Sequence, residues 1–177
     1  MKICVFCASS ESVDDVYFEA AADLGKEIVM QGWELLYGGT NCGLMREVSD
    51  AVKNGGGEVT GIIPQCIVDR GVSAEGISEL IVAPDMKERK SMMREKADAF
   101  IALPGGWGTL EEITEVMSKV SLKHLDAPCI LYNLNGYYDS LKQLLEHMIE
   151  MDLSSEEKQK GIYFAEDLEE IQRILDK

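Results

Sequence analysis

Positive charge is scarce in this sequence, and its scarcity excludes whole classes of partner. The chain has 17 lysine and arginine residues against 32 aspartate and glutamate residues, so its formal net charge is −15. Polymeric nucleic acids and anionic membranes are bound through fields of basic side chains that displace counterions. We therefore expect binding to neither, although a single nucleotide needs only a few local donors. The local exception is Met86–Lys96, which carries five cations in eleven residues.

Histidine is nearly absent, and the five cysteines are scattered. With only His124 and His147, neither a histidine-rich metal site nor a Ser-His-Asp triad is expected. Cys4 and Cys7 form a C-x-x-C, but residues three apart on a strand point to opposite faces, whereas a redox C-x-x-C begins a helix. The interpretation that remains is five buried or half-buried free thiols in a reducing cytoplasm.

No apolar run reaches the roughly 18 residues that a membrane span requires. The first eight residues contain one lysine and are soon followed by acidic residues, so they read as a first strand rather than a signal peptide. We therefore expect a cytoplasmic protein without a membrane partner. A length of 177 residues suits one domain that buries its own core, and a single domain over residues 1–177 is predicted.

Short apolar runs alternate with helical patterns along the chain. Strands are predicted at Lys2–Cys7, Trp33–Tyr37, Glu58–Ile63, Ile77–Val82, Ala99–Leu103, Ala127–Tyr132 and Gly161–Phe164. Between them lie helical patterns, the first capped by Ser12 and a later one at Met86–Lys96, while Gln65–Gly76 reads as a loop with room for one short helical turn. This alternation predicts an α/β fold, a Rossmann-like doubly wound parallel sheet with helices on both faces.

The stretch Asp98–Glu112 joins a buried strand, a glycine turn and the start of a helix, the arrangement that presents backbone N–H groups to a phosphate. It is not the dinucleotide fingerprint, because the first strand-to-helix turn contains no glycine, and it is not a P-loop, because no Gly-Lys-Ser/Thr follows. Two interpretations of the glycine turn remain: an anion site of mononucleotide size, or a tight turn that binds no ligand. A second glycine turn, Gly38–Gly43, and Ser9 also follow strands, so all three should meet in one crevice.

Glu112 has two interpretations. Thr109–Glu112 fits the capping box S/T-x-x-E, in which Glu112 would bond back to the backbone of Thr109. Alternatively, Glu112 is a carboxylate beside a bound phosphate, acting as a base or stabilising positive charge. A carboxylate there requires a nearby cation, for which Arg89 and Lys90 are candidates, unless they only form a solvated helix face.

The nonapeptide Pro104–Glu112 resembles the P-G-G-x-G-T-x-x-E signature of the LONELY GUY (LOG) family of cytokinin riboside 5′-monophosphate phosphoribohydrolases, often labelled possible lysine decarboxylases. The opening strand and serine turn, the second glycine turn, the Arg89 region and Asn135–Tyr138 are similar as well. The resemblance implies Arg89 and Glu112 as the catalytic pair. It implies that the substrate is bound by Ser9, Gly39, Lys90, Gly105, Gly106, Trp107, Gly108, Thr109, Leu110, Glu111 and Ser118.

The activity that the resemblance implies is hydrolysis of the N-glycosidic bond of a purine or cytokinin nucleoside 5′-monophosphate, giving the free base and ribose 5-phosphate without a metal or organic cofactor. It also implies a homodimer or larger homo-oligomer. The alternative is a nucleotide- or molybdopterin-type cofactor carrier that has kept the phosphate turn without turnover. A pyridoxal phosphate decarboxylase is disfavoured, because no lysine stands beside a suitable motif in so small a chain.

Overall fold

The strands form one parallel sheet whose winding reverses at its centre. The computed structural model describes residues 1–176, and its seven strands are ordered β4-β3-β2-β1-β5-β6-β7. They are β1 Lys2–Phe6, β2 Glu34–Tyr37, β3 Val59–Pro64, β4 Glu79–Ala83, β5 Ala99–Ala102, β6 Cys129–Tyr132 and β7 Ile162–Ala165. Every pairing is parallel, and β1 pairs with β2 on one side and β5 on the other. The predicted doubly wound sheet is confirmed.

Eight α-helices accompany the strands in residues 1–176, and the last of them follows β7. They are α1 Asp15–Met30, α2 Gly43–Asn54, α3 Gln65–Val68, α4 Met86–Lys96, α5 Trp107–Ser121, α6 Asp139–Glu150, α7 Glu156–Gln159 and α8 Leu168–Leu175, with a 3-10 turn at Leu134–Gly136. The prediction for α4 is confirmed at both ends. The predicted cap at Ser12 is wrong, because the side chain of Asp14 accepts the N–H of Val16 and α1 starts later. The short helix α7 lies in a polar stretch for which no helix or strand is predicted.

The core has one layer on each face of the sheet. Helices α1, α2 and α8 supply the apolar side chains on one face, and α4, α5 and part of α6 supply those on the other. Cys4 and Cys7 belong to opposite layers, as the strand periodicity predicts. All five thiols are free, but Cys66 is exposed on the short α3, so the prediction that every cysteine is at least half-buried is wrong there.

The reversal between β1 and β5 opens a crevice at the carboxyl ends of the strands. The loops after β1, β2, β3 and β5 all leave the sheet at this edge, so they bring distant parts of the chain together. Helix α4 returns from the edge strand β4 to the central strand β5 and packs against β3, β4 and β1. No helix within residues 1–176 is long and apolar enough to cross a membrane.

Candidate active site

A cavity of about 540 Å³ lies in this crevice. Strand ends and helix starts from both halves of the sheet form its wall. Its lining residues are Cys7, Ala8, Ser9, Gly38, Thr40, Cys42, Met45, Pro64, Ile67, Arg70, Val72, Met86, Arg89, Gly106, Trp107, Gly108, Thr109 and Glu112. The volume suits a small-molecule ligand of mononucleotide size.

Arg89 enters the cavity from the first turn of α4. That helix starts after Asp85, whose carboxylate accepts the N–H of Glu88 at 2.8 Å. Arg89 is only 5% exposed, and its Nε donates to the carbonyl of Ile62 at 3.0 Å. A Cβ on Gly38 would lie 2.7 Å from Nη2, so glycine at that position leaves room for the guanidinium. Nη2 donates to no atom of residues 1–176 and is available to a ligand.

The carboxylate of Glu112 accepts a hydrogen bond from Nη1 of Arg89, and the two side chains form a buried ion pair. The pair joins the two halves of the sheet, because α4 follows the edge strand β4 and α5 follows β5 on the other side of β1. Burial raises the pKa of the Glu112 carboxyl above its ordinary value, and the positive charge of Arg89 opposes part of that shift. Glu112 is 9% exposed and lines the cavity, so it is a carboxylate of raised basicity beside a ligand-sized space.

The capping-box interpretation of Glu112 is wrong. Helix α5 starts at Trp107 with Gly106 as its N-cap, so Thr109 is already inside the first turn. The first helical hydrogen bond runs from the N–H of Leu110 to the carbonyl of Gly106 at 3.0 Å. Glu112 therefore lies one turn further along, and its carboxylate is left to Arg89.

The N-terminus of α5 is open. No side chain caps it, and the N–H groups of Gly106, Trp107, Gly108 and Thr109 have no acceptor within residues 1–176. Two of these four residues are glycines, and a Cβ on Gly105 would lie 2.1 Å from Oγ1 of Thr109. An uncapped helix N-terminus with exposed N–H groups attracts anions.

The second glycine turn differs in this respect. At the N-terminus of α2, the carboxylate of Glu11 accepts the N–H of Gly43 at 2.9 Å, and the carbonyl of Ala8 accepts that of Leu44 at 3.0 Å. Glu11 also binds Arg46 through two bonds of 2.8 Å. The protein itself thus occupies this helix end. The two turns meet in one crevice, as predicted. At α2 the N–H groups of Gly43 and Leu44 are already bound, whereas the four N–H groups at the start of α5 have no acceptor within residues 1–176.

The structure separates the predicted substrate residues into two groups. Ser9, Gly106, Trp107, Gly108 and Thr109 line the cavity together with Arg89 and Glu112. The other six do not line it: Gly39, Lys90, Gly105, Leu110, Glu111 and Ser118. Among them, Lys90 is held by Glu111 and Glu115, and Ser118 is exposed further along α5. Within this cavity, these six residues are not positioned to make the predicted substrate contacts.

Arg70 is a cavity residue that the sequence analysis missed. It follows α3 in the stretch predicted as a loop, lies exposed at the cavity wall, and has no ion-pair partner within residues 1–176. By contrast, Arg89 and Lys90 are both paired with carboxylates. A signal was present in the sequence, because Arg70 is the first cation after the third predicted strand. Ile67 and Met86 add apolar wall to the same cavity.

Nucleophilic and metal chemistry find little support in the side chains. Burial, together with the charge of Glu112, raises the pKa of the Cys7 thiol far above its ordinary value, which disfavours the thiolate needed for attack. No group of three His, Cys, Asp or Glu residues in the described part of the chain could hold a metal ion. A carboxylate of raised pKa beside a ligand-sized space, as at Glu112, can act as a base toward water.

Known proteins resemble this chain along most of its length. A family model described as "Possible lysine decarboxylase" matches residues 45–175. The cytokinin riboside 5′-monophosphate phosphoribohydrolase LOG4 of Arabidopsis thaliana is 41% identical over 175 residues, covering 99% of this chain and 81% of that protein. The probable cytokinin riboside 5′-monophosphate phosphoribohydrolase LOGL6 of Oryza sativa subsp. japonica is 45% identical over 154 residues, covering 87% of this chain. The chain spans 62% of LOGL6 and 61% of a second rice relative, LOGL2.

Solved structures share the fold. The X-ray structure of the structural-genomics target TM1055 matches with a TM-score of 0.78 at 24% identity, covering 99% of this chain and 98% of that chain. The molybdenum cofactor carrier protein of Chlamydomonas reinhardtii matches with a TM-score of 0.72 at 21% identity, with the same two coverages. At these identities the likeness establishes the fold and nothing about the ligand.

Proposed function

Because this chain belongs to the LONELY GUY (LOG) family, we propose that it hydrolyses the N-glycosidic bond of a purine nucleoside 5′-monophosphate. Water and the nucleotide give the free base and ribose 5-phosphate. The names of the relatives extend the substrate class to purines that carry a cytokinin side chain. The observation that carries this proposal is the buried Arg89–Glu112 pair beside an uncapped helix N-terminus in one cavity.

The 5′-phosphate is assigned to the N-terminus of α5. Four backbone N–H groups there have no acceptor within the described residues, and the helix dipole adds partial positive charge. The equivalent end of α2 is filled by Glu11 and Ala8, which leaves α5 as the turn for the phosphate. The ribose would then extend from the turn toward Arg89 and Glu112, which line the same cavity.

Glu112 is assigned the reaction at C1′. Breaking the bond between C1′ and the base nitrogen develops positive charge on the ribose, as in glycoside hydrolysis. The carboxylate stabilises that charge and takes a proton from the attacking water, whose oxygen forms the new bond to C1′. The raised pKa of Glu112 makes it a stronger base than an ordinary carboxylate. The leaving base takes the bonding electrons and a proton from solvent, and Glu112 returns to solvent the proton that it took from the water.

Arg89 and Arg70 are assigned to substrate positioning. Arg89 is fixed by Ile62 and Glu112, so its free Nη2 is a preorganised donor for the ribose phosphate or for a site near the leaving base. A dianionic phosphate also needs a cation that is not already neutralised by the protein. Arg70 meets that need, because it lines the cavity and has no carboxylate partner in residues 1–176.

The cavity does not suit pyridoxal phosphate, which the family description would imply. That cofactor needs a lysine to form a Schiff base with its aldehyde. No lysine lines the cavity within the described residues, and Lys90 on the neighbouring α4 is engaged by Glu111 and Glu115. We therefore derive no decarboxylation from this site.

The test is product formation. The purified protein is incubated with AMP or with its N6-isopentenyl analogue, and the release of ribose 5-phosphate and free base is measured. Hydrolysis supports the proposal. Binding of AMP in a calorimeter without product after long incubation would favour the carrier function instead. A buried carboxylate gives no advantage for holding a phosphate alone, so the Arg89–Glu112 pair supports turnover.

The remaining assignments concern the setting of the site. We propose that residues 1–177 form one nucleotide-binding domain, that the protein works as a homodimer or larger homo-oligomer, and that it acts in the cytoplasm. Five free thiols are consistent with a reducing compartment. Exposed apolar side chains at Leu122, Leu144, Met151 and Leu153 support a self-association surface. Light scattering on the purified chain measures the assembly, in which Ser118 could reach a partner's site.

A further inference from the structure

The segment Asn135–Tyr138 plays no part in the mechanism above, yet several hydrogen bonds fix its conformation. It forms the turn between β6 and α6, with Asn135 at φ 53° and Gly136 at φ 73°. Buried Asn133 holds the turn: its amide donates to Asp139 at 2.8 Å, and its carbonyl oxygen accepts the N–H of Tyr138 at 2.7 Å. A turn fixed in this way gives the side chains that follow it defined positions.

Both tyrosines of the turn reach the strand end that leads into the phosphate turn. The hydroxyl of Tyr138 donates to the carbonyl of Leu103 at 2.8 Å, and that of Tyr137 donates to the carbonyl of Gly105 at 2.5 Å. The carbonyl between them, on Pro104, accepts the N–H of Ala8 at 3.3 Å. Three consecutive carbonyls are thus held from outside the turn.

The bond from Tyr137 fixes the orientation of one peptide group. Peptides in residues 1–176 are all trans, so the carbonyl of Gly105 and the N–H of Gly106 point in opposite directions. With the carbonyl held by Tyr137, that N–H points away from Tyr137, and Gly106 lines the cavity. A peptide between two glycines rotates with little steric resistance, and rotation would turn the carbonyl toward the phosphate.

We propose that Tyr137 is a positioning residue that keeps the Gly106 N–H directed at the phosphoryl group of the ligand. The inference rests on the proposed placement of the 5′-phosphate at α5. The ring of Tyr137 is itself held by edge contacts to Tyr17 at 6.1 Å and to Tyr138 at 4.9 Å between centroids. Tyr137 therefore acts through the backbone of Gly105 and Gly106 and makes no contact with the reacting atoms.

Tyr138 provides a matched control. Its hydroxyl holds the carbonyl of Leu103, but the peptide that follows leads into Pro104, which has no N–H to orient. Tyr138 is 5% exposed and Tyr137 is 44% exposed. Removing the hydroxyl of Tyr138 should therefore cost more stability, whereas removing that of Tyr137 should cost more phosphate affinity.

The experiment compares Tyr137→Phe and Tyr138→Phe in binding inorganic phosphate, ribose 5-phosphate and adenosine, none of which requires turnover of a nucleotide monophosphate. We expect Tyr137→Phe to weaken both phosphate-bearing ligands by about two- to tenfold, the effect of one hydrogen bond, with adenosine unchanged. Tyr138→Phe should keep phosphate affinity within about twofold and lower the melting temperature more. In wild type the amide proton resonance of Gly106 should move on adding phosphate, and Tyr137→Phe should reduce that movement.

Equal phosphate affinity in wild type and Tyr137→Phe would overturn the positioning role, as would equal losses in both variants. If wild type binds phosphate but never hydrolyses AMP, the proposed hydrolysis fails while the positioning role stands. If wild type binds no phosphate-bearing ligand, both fail.

Discussion

Replacing Glu112 by glutamine tests the assigned chemistry most directly. The change keeps the side-chain volume and an acceptor for Nη1 of Arg89 but removes the negative charge and the basic oxygen. A positioned general base contributes about 10²- to 10⁴-fold to the rate, which is about 3–5 kcal/mol of the barrier. We therefore expect kcat for AMP hydrolysis to fall by that factor.

Binding should respond in the opposite sense. The carboxylate of Glu112 lies in the same cavity as the phosphate site, so its charge repels the ligand. Its removal leaves Arg89 without a counter-charge, and ribose 5-phosphate should bind as tightly as in wild type or more tightly. Loss of the fold would weaken both properties together, so the split between kcat and affinity separates the chemical role from a structural one.

The assay is release of ribose 5-phosphate under saturating AMP, with binding measured through tryptophan fluorescence. Trp107 is 87% exposed at the cavity wall, whereas Trp33 is 9% exposed in the core, so the ligand-dependent signal comes from Trp107. The matched control is Glu115→Gln, which removes a carboxylate from the same helix that is also paired with α4 but lies outside the cavity. Undiminished kcat in Glu112→Gln, or an equal loss in Glu115→Gln, refutes the assigned role.

Three further predictions follow from the same geometry. Because burial raises the pKa of Glu112 and its ionised form is the base, kcat should fall on acidification from a pH above the ordinary range of a glutamate, and a limb that persists in Glu112→Gln belongs to the substrate phosphate. Arg70→Gln should raise KM about tenfold through loss of a charge-assisted bond, with little change in kcat; an unchanged KM, or the same rise in the distant Arg173→Gln, contradicts its role. Gly38→Ala should lower kcat/KM about tenfold, because its Cβ would lie 2.7 Å from Nη2 of a guanidinium that Ile62 and Glu112 hold in place; wild-type kinetics would show that Arg89 has more freedom than these bonds indicate.

Much of the fold could be predicted from the sequence, because the sheet is buried on both faces. Apolar runs such as Ala99–Ala102 and the helical pattern of Met86–Lys96 have no stable alternative to burial, and both were predicted within one residue. Helix starts were harder. Ser12 and Thr109 are good caps by type, yet Asp14 and Gly106 take these positions, because the packing of each turn decides where its helix begins.

The candidate site was predictable in its centre and less so at its edges. The spacing of Arg89 and Glu112 brings them together as the signature implies. Sequence could not show that Glu11 already fills the N-terminus of α2, since that contact joins positions far apart in the chain. The ion pairs of Lys90 with Glu111 and Glu115 are also contacts between distant positions, so the sequence predicts a ligand contact for Lys90 instead. Arg70 could not be identified as a cavity residue, because no periodic pattern surrounds it.

The return crossover through α4 has a consequence for how the chain acquires its structure during synthesis. The strands β1–β4 emerge from the ribosome first, but one edge of β1 stays without a hydrogen-bonding partner until β5 is made. Over that interval the Arg89 guanidinium also lacks the carboxylate of Glu112. The nascent amino-terminal half is therefore an open-edged, charge-unbalanced intermediate, and formation of the Arg89–Glu112 pair follows directly on the pairing of β5 with this edge of β1.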